Sequence, residues 1–182
     1  NVFRNVGETG GGALVINGTS GTSRNIHVVD NIVDNSSGTA TNVIALLMQD
    51  MENEVIENNV FRGINSKGLS ISDITNGVVS KNTFDNITWL GMLYDGLNNV
   101  IFDKNIFTST DYIMKVTGTN SNLKFIDNTF NYNTFIDGTI PAGTTFSRNL
   151  GYLTEKDGTA TILSGTASII VSLSGVIRNV SG

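Results

Sequence analysis

The 182-residue chain has no cysteine, a single proline and few charged residues, which make up 15% of it. The absence of cysteine excludes disulfides, zinc–thiolate sites and cysteine nucleophiles. No apolar run approaches the ~18 residues that a membrane-spanning helix needs, so we expect no membrane insertion. The formal net charge of −5 argues against nucleic acid as a partner.

Asparagine is the abundant residue, with 24 copies. Asn forms both helices and ordinary strands poorly, so its excess needs a structural explanation. Much of it falls into a repeated phrase, Asn-x-(Val/Phe), which fades at Asn149. The first residues of the earlier copies are Asn1, Asn31, Asn59, Asn82, Asn105 and Asn128. The steps between them are 30, 28, 23, 23 and 23 residues, followed by 21 to Asn149.

Further positions repeat in register with this phrase. A second Asn lies six residues before five of the repeat asparagines, at Asn25, Asn53, Asn76, Asn99 and Asn122. An apolar column lies two residues after them: Phe3, Val33, Phe61, Phe84, Phe107 and Phe130. A second apolar column lies three residues before them: Val28, Ile56, Val79, Phe102 and Phe125. Repeats of this length, built from short alternating stretches, predict stacked coils with parallel strand pairing rather than a sandwich.

We therefore predict an all-β fold, a right-handed parallel β-helix of about seven coils over residues 1–151. The repeat asparagines would form a side-chain amide ladder at one turn, where Asn also tolerates the left-handed backbone region. The phenylalanines would stack beside them in the core. Most of the conspicuous residues are then scaffold rather than functional residues.

The segments NEVIENNVF (53–61), NGVVSKNTF (76–84), NVIFDKNIF (99–107) and NLKFIDNTF (122–130) resemble the repeats of the pectate-lyase-like superfamily. The resemblance implies a right-handed parallel β-helix. It leaves the activity open, because that superfamily includes polysaccharide lyases, glycoside hydrolases, epimerases, phage tailspikes and non-catalytic adhesins. The motifs of its enzymes are missing here: Lys67 and Lys115 are unanchored candidates for a base, and His27 is the lone histidine.

The two ends differ from the repeats. The first repeat begins at residue 1, leaving no room for a cap, so we expect the chain to be part of a longer protein. Residues 152–182 are expected to form a β-rich cap or the start of a further domain, in which Thr159–Leu163 and Ser168–Leu173 form a hairpin or a pair of edge strands. The segment 158–175 resembles a phrase near the C-termini of phage tail and virion-associated proteins, although Ser174 stands where His is usual.

One column of residues is apolar although it is predicted to face outward. If Val79 and its equivalents point into the core, then Val55, Val78 and Ile101 point out. Stacked apolar residues on a free surface are unusual. We predict that a homotrimer interface or the C-terminal segment covers them; the alternative is a bulge that reverses the strand's faces.

Three aspartates, Asp50, Asp73 and Asp95, follow the second strand of successive coils at separations of 23 and 22 residues. Adjacent coils would place their carboxylates ~5 Å apart. That spacing would suit a calcium ion or a pair of acid/base groups, so the three are candidate metal ligands and candidate catalytic residues. The plainer reading is that Asp is a good turn residue. No cofactor is required, and calcium is the only candidate.

Four aromatic residues lie in or beside the turns and second strands. These are Trp89, Tyr94, Tyr112 and Tyr132, which would stack on sugar rings if exposed or pack against turns if buried. We predict an extracellular or virion-surface module that contacts glycans, as in tailspikes or adhesins. The alternative is a polysaccharide lyase or glycoside hydrolase that acts on acidic polysaccharide.

Overall fold

The computed structural model describes residues 1–5, 11–18, 23–38, 42–151, 168–173 and 176–181, with the backbone alone at 132–135 and in the last two segments. The described residues form parallel strands stacked as a β-solenoid and contain no helix. This confirms the predicted all-β parallel solenoid.

Three stacks of parallel strands surround one core. The first stack follows the repeat asparagines: β1 (Val2–Arg4), β5 (Ile32–Asp34), β8 (Val60–Arg62) and the beginnings of β11 (Thr83–Asp95), β13 (Ile106–Thr117) and β15 (Thr129–Asp137). The second contains β2 (Gly12–Asn17), β6 (Ile44–Glu52), β9 (Lys67–Thr75) and the later parts of β11, β13 and β15, with β3 (Ser23–Arg24) beside β6. The third is a six-stranded sheet of β4 (His27–Val29), β7 (Val55–Glu57), β10 (Val78–Ser80), β12 (Ile101–Asp103), β14 (Lys124–Ile126) and β16 (Thr145–Ser147).

The register joins residues one coil apart. Val78 pairs with Val55 on one side and with Ile101 on the other. About four complete turns are regular, and the six-stranded sheet extends into partial turns beyond them. The structure thus contains the predicted repeat, while the length of about seven coils stays a prediction.

The core is built from stacked side chains of equivalent positions. Phe84 and Phe107 stack with ring centroids 4.4 Å apart, and Phe102 and Phe125 stack at 4.6 Å. A β-carbon on Gly91 would lie 2.9 Å from the Phe107 ring, so this position must remain Gly for the ring to fit. The predicted phenylalanine column is confirmed: Phe61, Phe84, Phe107 and Phe130 are all buried.

The repeat asparagines form a continuous buried ladder. Asn59 Nδ2 donates to Asn82 Oδ1 at 3.0 Å, and Asn82 Nδ2 donates to Asn105 Oδ1 at 3.1 Å. The backbone N–H of Asn59 donates to the same Asn82 oxygen at 2.9 Å. The predicted ladder is confirmed for Asn31, Asn59, Asn82, Asn105 and Asn128, and it extends to Asn1 and Asn149.

The left-handed corner residues are not the ladder asparagines, and that part of the prediction is wrong. The residue before each ladder Asn has positive φ instead, as at Lys81 (φ 54°) and Lys104 (φ 53°). A second set of positive-φ corners is formed by the asparagines six residues before the ladder: Asn25, Asn53, Asn76, Asn99 and Asn122. One group of asparagines therefore provides buried amides, and the other provides turn conformations that Asn tolerates.

A hairpin is present near the end of the chain, with a different partner from the one predicted. Strand β17 (Ser168–Leu173) pairs antiparallel with β18 (Val176–Ser181), and Leu173 pairs with Val176. Only two residues separate these strands, which is a favoured hairpin length. The predicted partner Thr159–Leu163 lies outside the described residues.

Candidate functional site

The three aspartates do not form one column. Asp95 pairs with Ser72, and so lies one position out of register with Asp73. Asp50 and Asp73 have left-handed backbones, with φ of 60° and 51°. The next coil has Gly96 in that place, because the 22-residue step shifts Asp95 to the end of the strand. The prediction of three equivalent stacked carboxylates is therefore wrong.

Each of two aspartates fills a space that a glycine leaves in the next coil. A β-carbon on Gly96 would collide with the Asp73 carboxylate, and one on Gly118 would collide with that of Asp95. This is the packing of a turn residue rather than of a catalytic pair. Within the described residues, no group of three or more His, Cys, Asp or Glu side chains could hold a metal ion. No observation thus supports the predicted calcium or catalytic role.

Trp89 is the large aromatic side chain that the structure exposes. It lies in β11 where the pairing with β13 shifts register between Ile87 and Leu90. Its side chain is 41% exposed, and the Lys67 ammonium lies 5.4 Å from the ring centroid. An exposed indole held by a cation leaves a flat apolar surface open to solvent.

A polar cleft of about 290 Å³ begins at the residue next to Trp89. Its lining is Ile87, Thr88, Ser109 and Asp111, which belong to two adjacent coils. The left-handed conformation of Ser109, with φ of 54°, places this turn beside the strand of the preceding coil. The cleft presents hydroxyl groups and a carboxylate, which can form hydrogen bonds with a polyol, and Trp89 follows its lining residue Thr88 in the sequence.

Lys67 has no ion-pair partner among the described residues. Burial, together with the positive charge of Lys115, lowers the pKa of Lys67. Lys115 in turn forms an ion pair with Asp137 at 2.6 Å. Lys67 and Lys115 therefore place two basic groups near the Trp89 ring.

The tyrosines have different environments from Trp89. Tyr94 is fully buried, and its hydroxyl donates to Met114 Sδ at 3.1 Å, so its predicted glycan contact is wrong. Burial also raises the pKa of the Tyr94 hydroxyl. Tyr112 is half-buried and pairs with Leu90. Tyr132 lies in β15, and its side chain is outside the described part.

The predicted outward column has the predicted orientation. Three residues on the outer side of the six-stranded sheet are half-buried: Val55, Val78 and Ile101. Val79, which follows Val78 in the same strand, is buried. The strand is therefore not reversed by a bulge. His27 is exposed in the same column, and it pairs with Val55.

Glu54 is a residue that sequence reasoning missed. It is 1% exposed, and neither carboxyl oxygen has a hydrogen-bond partner among the described residues. Burial raises the pKa of Glu54 to about 7, and the charge of Glu52 acts in the same direction. The sequence contains one signal that could have found it, because the equivalent positions of the other coils are all uncharged. The column reads Ile26, Glu54, Gly77, Val100, Leu123 and Thr144.

A second groove, of about 600 Å³, lies between the corner segments 116–120 and 138–142. No charged residue lines it, and it contains none of the predicted site residues. The Asn120 amide beside it is engaged, because its oxygen accepts from the Leu97 N–H at 2.9 Å and its nitrogen donates to the Thr117 carbonyl at 2.7 Å.

Comparisons of this chain with protein-family models, with curated proteins and with solved structures find no match. The described residues also include no helix that is both long and apolar enough to cross a membrane.

Proposed function

We propose that this solenoid is a structural module of an extracellular or virion-surface protein, and that it contacts glycans at Trp89. The observation that carries the proposal is the exposed indole of Trp89, whose sequence neighbour Thr88 lines a cleft with Ser109 and Asp111. Stacking of a sugar ring on the indole would bury the one large aromatic side chain that is exposed among the described residues. Hydroxyl and carboxylate groups in the cleft would then bind the sugar hydroxyls.

The repeat supports a structural role for the rest of the molecule. Its core and its ladder are engaged in holding the coils together, so the surface turns are where specificity can arise. The resemblance to tailspikes and adhesins agrees with this division. A homotrimer through Val55, Val78 and Ile101 is one alternative assembly of this module, and a trimer in sedimentation would support it. The lyase or hydrolase alternative has no comparable observation in its favour, because Asp95 is out of register with Asp73.

The chain provides its own binding signal, because Trp89 is its only tryptophan. Titration with a panel of neutral and acidic oligosaccharides should change the fluorescence of Trp89 in a saturable way. Trp89→Ala should abolish binding, measured by calorimetry, whereas Trp89→Phe should retain part of it. Asp111→Asn should weaken binding, and thermal melting establishes that this variant is folded.

Val29→Ala is the matched control, because Val29 is also exposed, at 36%, but lies on the six-stranded sheet. It should bind as the unmodified chain does. Equal binding by Trp89→Ala and the unmodified chain would refute the site. Absence of binding across the whole panel would refute the glycan function.

A further inference from the structure

One face of the solenoid combines exposed apolar residues with alternating charges. It is the outer side of the strands that follow the ladder asparagines, here called the ladder face. The first residues of these strands form one outward column: Val2, Ile32, Val60, Thr83, Ile106 and Thr129. Val2, Ile32 and Ile106 are 53%, 37% and 47% exposed, and so are among the most exposed large apolar side chains described.

A second column on the same face alternates in charge. It reads Arg4, Asp34, Arg62 and Asp85, in parallel register from coil to coil. Arg62 Nε lies 3.0 Å from Asp85 Oδ2. A backbone hydrogen bond from Ser36 lowers the pKa of Asp34, and the charges of Arg62 and Arg4 act in the same direction. Asp34 is therefore held in its charged form at neutral pH.

The corner that borders this face has its own charges. It contains the left-handed residues that precede the ladder asparagines: Asp30, Asn58, Lys81, Lys104 and Asp127. The ladder face is thus three columns wide, with corner residues, apolar residues and alternating charges in that order along each strand.

The ladder faces of two copies are complementary when they face each other with the order of the coils reversed in the second copy. Consider a two-fold axis along the strand direction, between the coils of Val60 and Thr83. Ile32 then lies opposite Ile106 of the second copy, and Arg62 opposite Asp85 of the second copy. The same rotation places Asp30 opposite Lys104 of the second copy. Each pairing occurs twice, and no like charges meet.

A parallel arrangement fits less well. In it, each coil lies opposite the identical coil of the second copy, and the facing strands run in opposite directions. Asp30 then meets Asp34 of the second copy. Two like-charge contacts then offset the two attractive ones between Lys81 and Asp85. The charge order therefore favours the antiparallel pairing.

We propose that the ladder face is a self-association surface that joins two copies of this chain as an antiparallel dimer. Six coils at ~4.8 Å and five residues at ~3.3 Å give a patch of roughly 480 Å² on each copy. Since stable interfaces bury about 1,200–2,000 Å² in total, the dimer is weak and concentration-dependent. The proposal is independent of glycan binding.

Sedimentation of the chain over a range of concentrations tests the surface. The unmodified chain should show a reversible monomer–dimer equilibrium when its concentration is raised to about 1 mM. Added salt should weaken the dimer because it screens the charge pairs. Ile106→Glu should give a monomer. The control Val15→Glu changes a residue of equal exposure, 46%, on another stack of strands, and it should still dimerise.

The charges are tested by reversal and rescue. Arg62→Asp should weaken dimerisation at least tenfold, and the double swap Arg62→Asp/Asp85→Arg should restore it. The control Arg24→Asp breaks a similar exposed ion pair, with Glu52 at 2.9 Å on a different corner, and should have no effect. Thermal melting establishes that each variant is folded.

The orientation is tested by engineered cysteines, since the chain has none of its own. Antiparallel pairing brings position 32 of one copy next to position 106 of the other. Identical positions of the two copies lie three coils apart, or ~14 Å, which is too far for a disulfide. A mixture of the variants Ile32→Cys and Ile106→Cys should therefore cross-link on oxidation, and neither alone should. A monomer at all concentrations, a trimer, a failed rescue or cross-linking of a single variant with itself would overturn the proposal.

Discussion

Two buried polar regions of this solenoid differ in whether their polar atoms have hydrogen-bond partners. In the ladder, Asn82 is fully buried, and its amide accepts from Asn59 and donates to Asn105 and to the Ile56 carbonyl. At the opposite end of the six-stranded sheet's strands, Glu54 is equally buried, and neither of its oxygens has a hydrogen-bond partner in the part of the chain that the structure describes. Repetition explains the difference: an amide is both donor and acceptor, so identical neighbours satisfy one another, whereas a single carboxylate has no equivalent above or below it.

The largest expected effect is the loss of one ladder amide. Asn82→Ala removes four hydrogen bonds and leaves the Asn59 backbone N–H without its acceptor. The expected cost is about 3–5 kcal/mol of unfolding free energy, because buried polar groups are left unsatisfied. Urea denaturation followed by circular dichroism measures it. A cost below about 1 kcal/mol would show that the ladder does not hold the coils together.

The next effect is a pH dependence due to Glu54. Its folded-state pKa is raised to about 7 from the model-peptide value of 4.5, so the folded chain binds this proton more tightly than the unfolded chain does. The stabilisation is complete below pH ~4.5 and is lost as the pH rises through ~7. Across this pH range the unmodified chain should lose about 3 kcal/mol of unfolding free energy relative to Glu54→Gln.

Unfolding curves of the unmodified chain and of Glu54→Gln at pH 4.5 and pH 8 give this difference directly. Other carboxylates titrate in both proteins and cancel in the comparison. Parallel stability profiles for the two proteins would contradict the assignment of a raised pKa to Glu54.

The smallest effect concerns the exposed corner asparagines, which resemble the ladder in sequence but not in function. Asn99 has φ of 56° and is exposed. Asn99→Ala should cost about 1 kcal/mol because Ala adopts this conformation poorly, and Asn99→Gly should cost almost nothing. Equal costs for Asn99→Ala and Asn82→Ala would remove the distinction between corner and ladder.

Much of the fold follows from periodic positions in the sequence. The spacing of Asn82 and Phe84 to their equivalents predicted the parallel register, the ladder and the stacked rings, because identical residues one coil apart must meet when coils stack. The outward direction of Val78 followed from strand alternation. The pairing of Ser168–Leu173 with Val176–Ser181 was not predicted, since short apolar segments leave several pairings available.

The candidate site was less predictable. Trp89 and Tyr94 were equal candidates in the sequence, yet the shift of register before Leu90 leaves Trp89 exposed, while Tyr94 points into the core. Asp95 differed from Asp73 by a single residue of spacing, which was enough to move it to another position on the turn. Irregular positions carry no repeat signal, so only the assembled coils decide where their side chains go.

The sequence by itself determined that the chain coils, which positions form its core and that its asparagines stack, because each of these depends on a repeated local pattern. The tertiary structure decided which aromatic residue meets solvent, which carboxylate is buried without a partner, and that the charges of the ladder face alternate along one column. Those features depend on residues brought together from different coils, and their surroundings exist only once the coils have stacked.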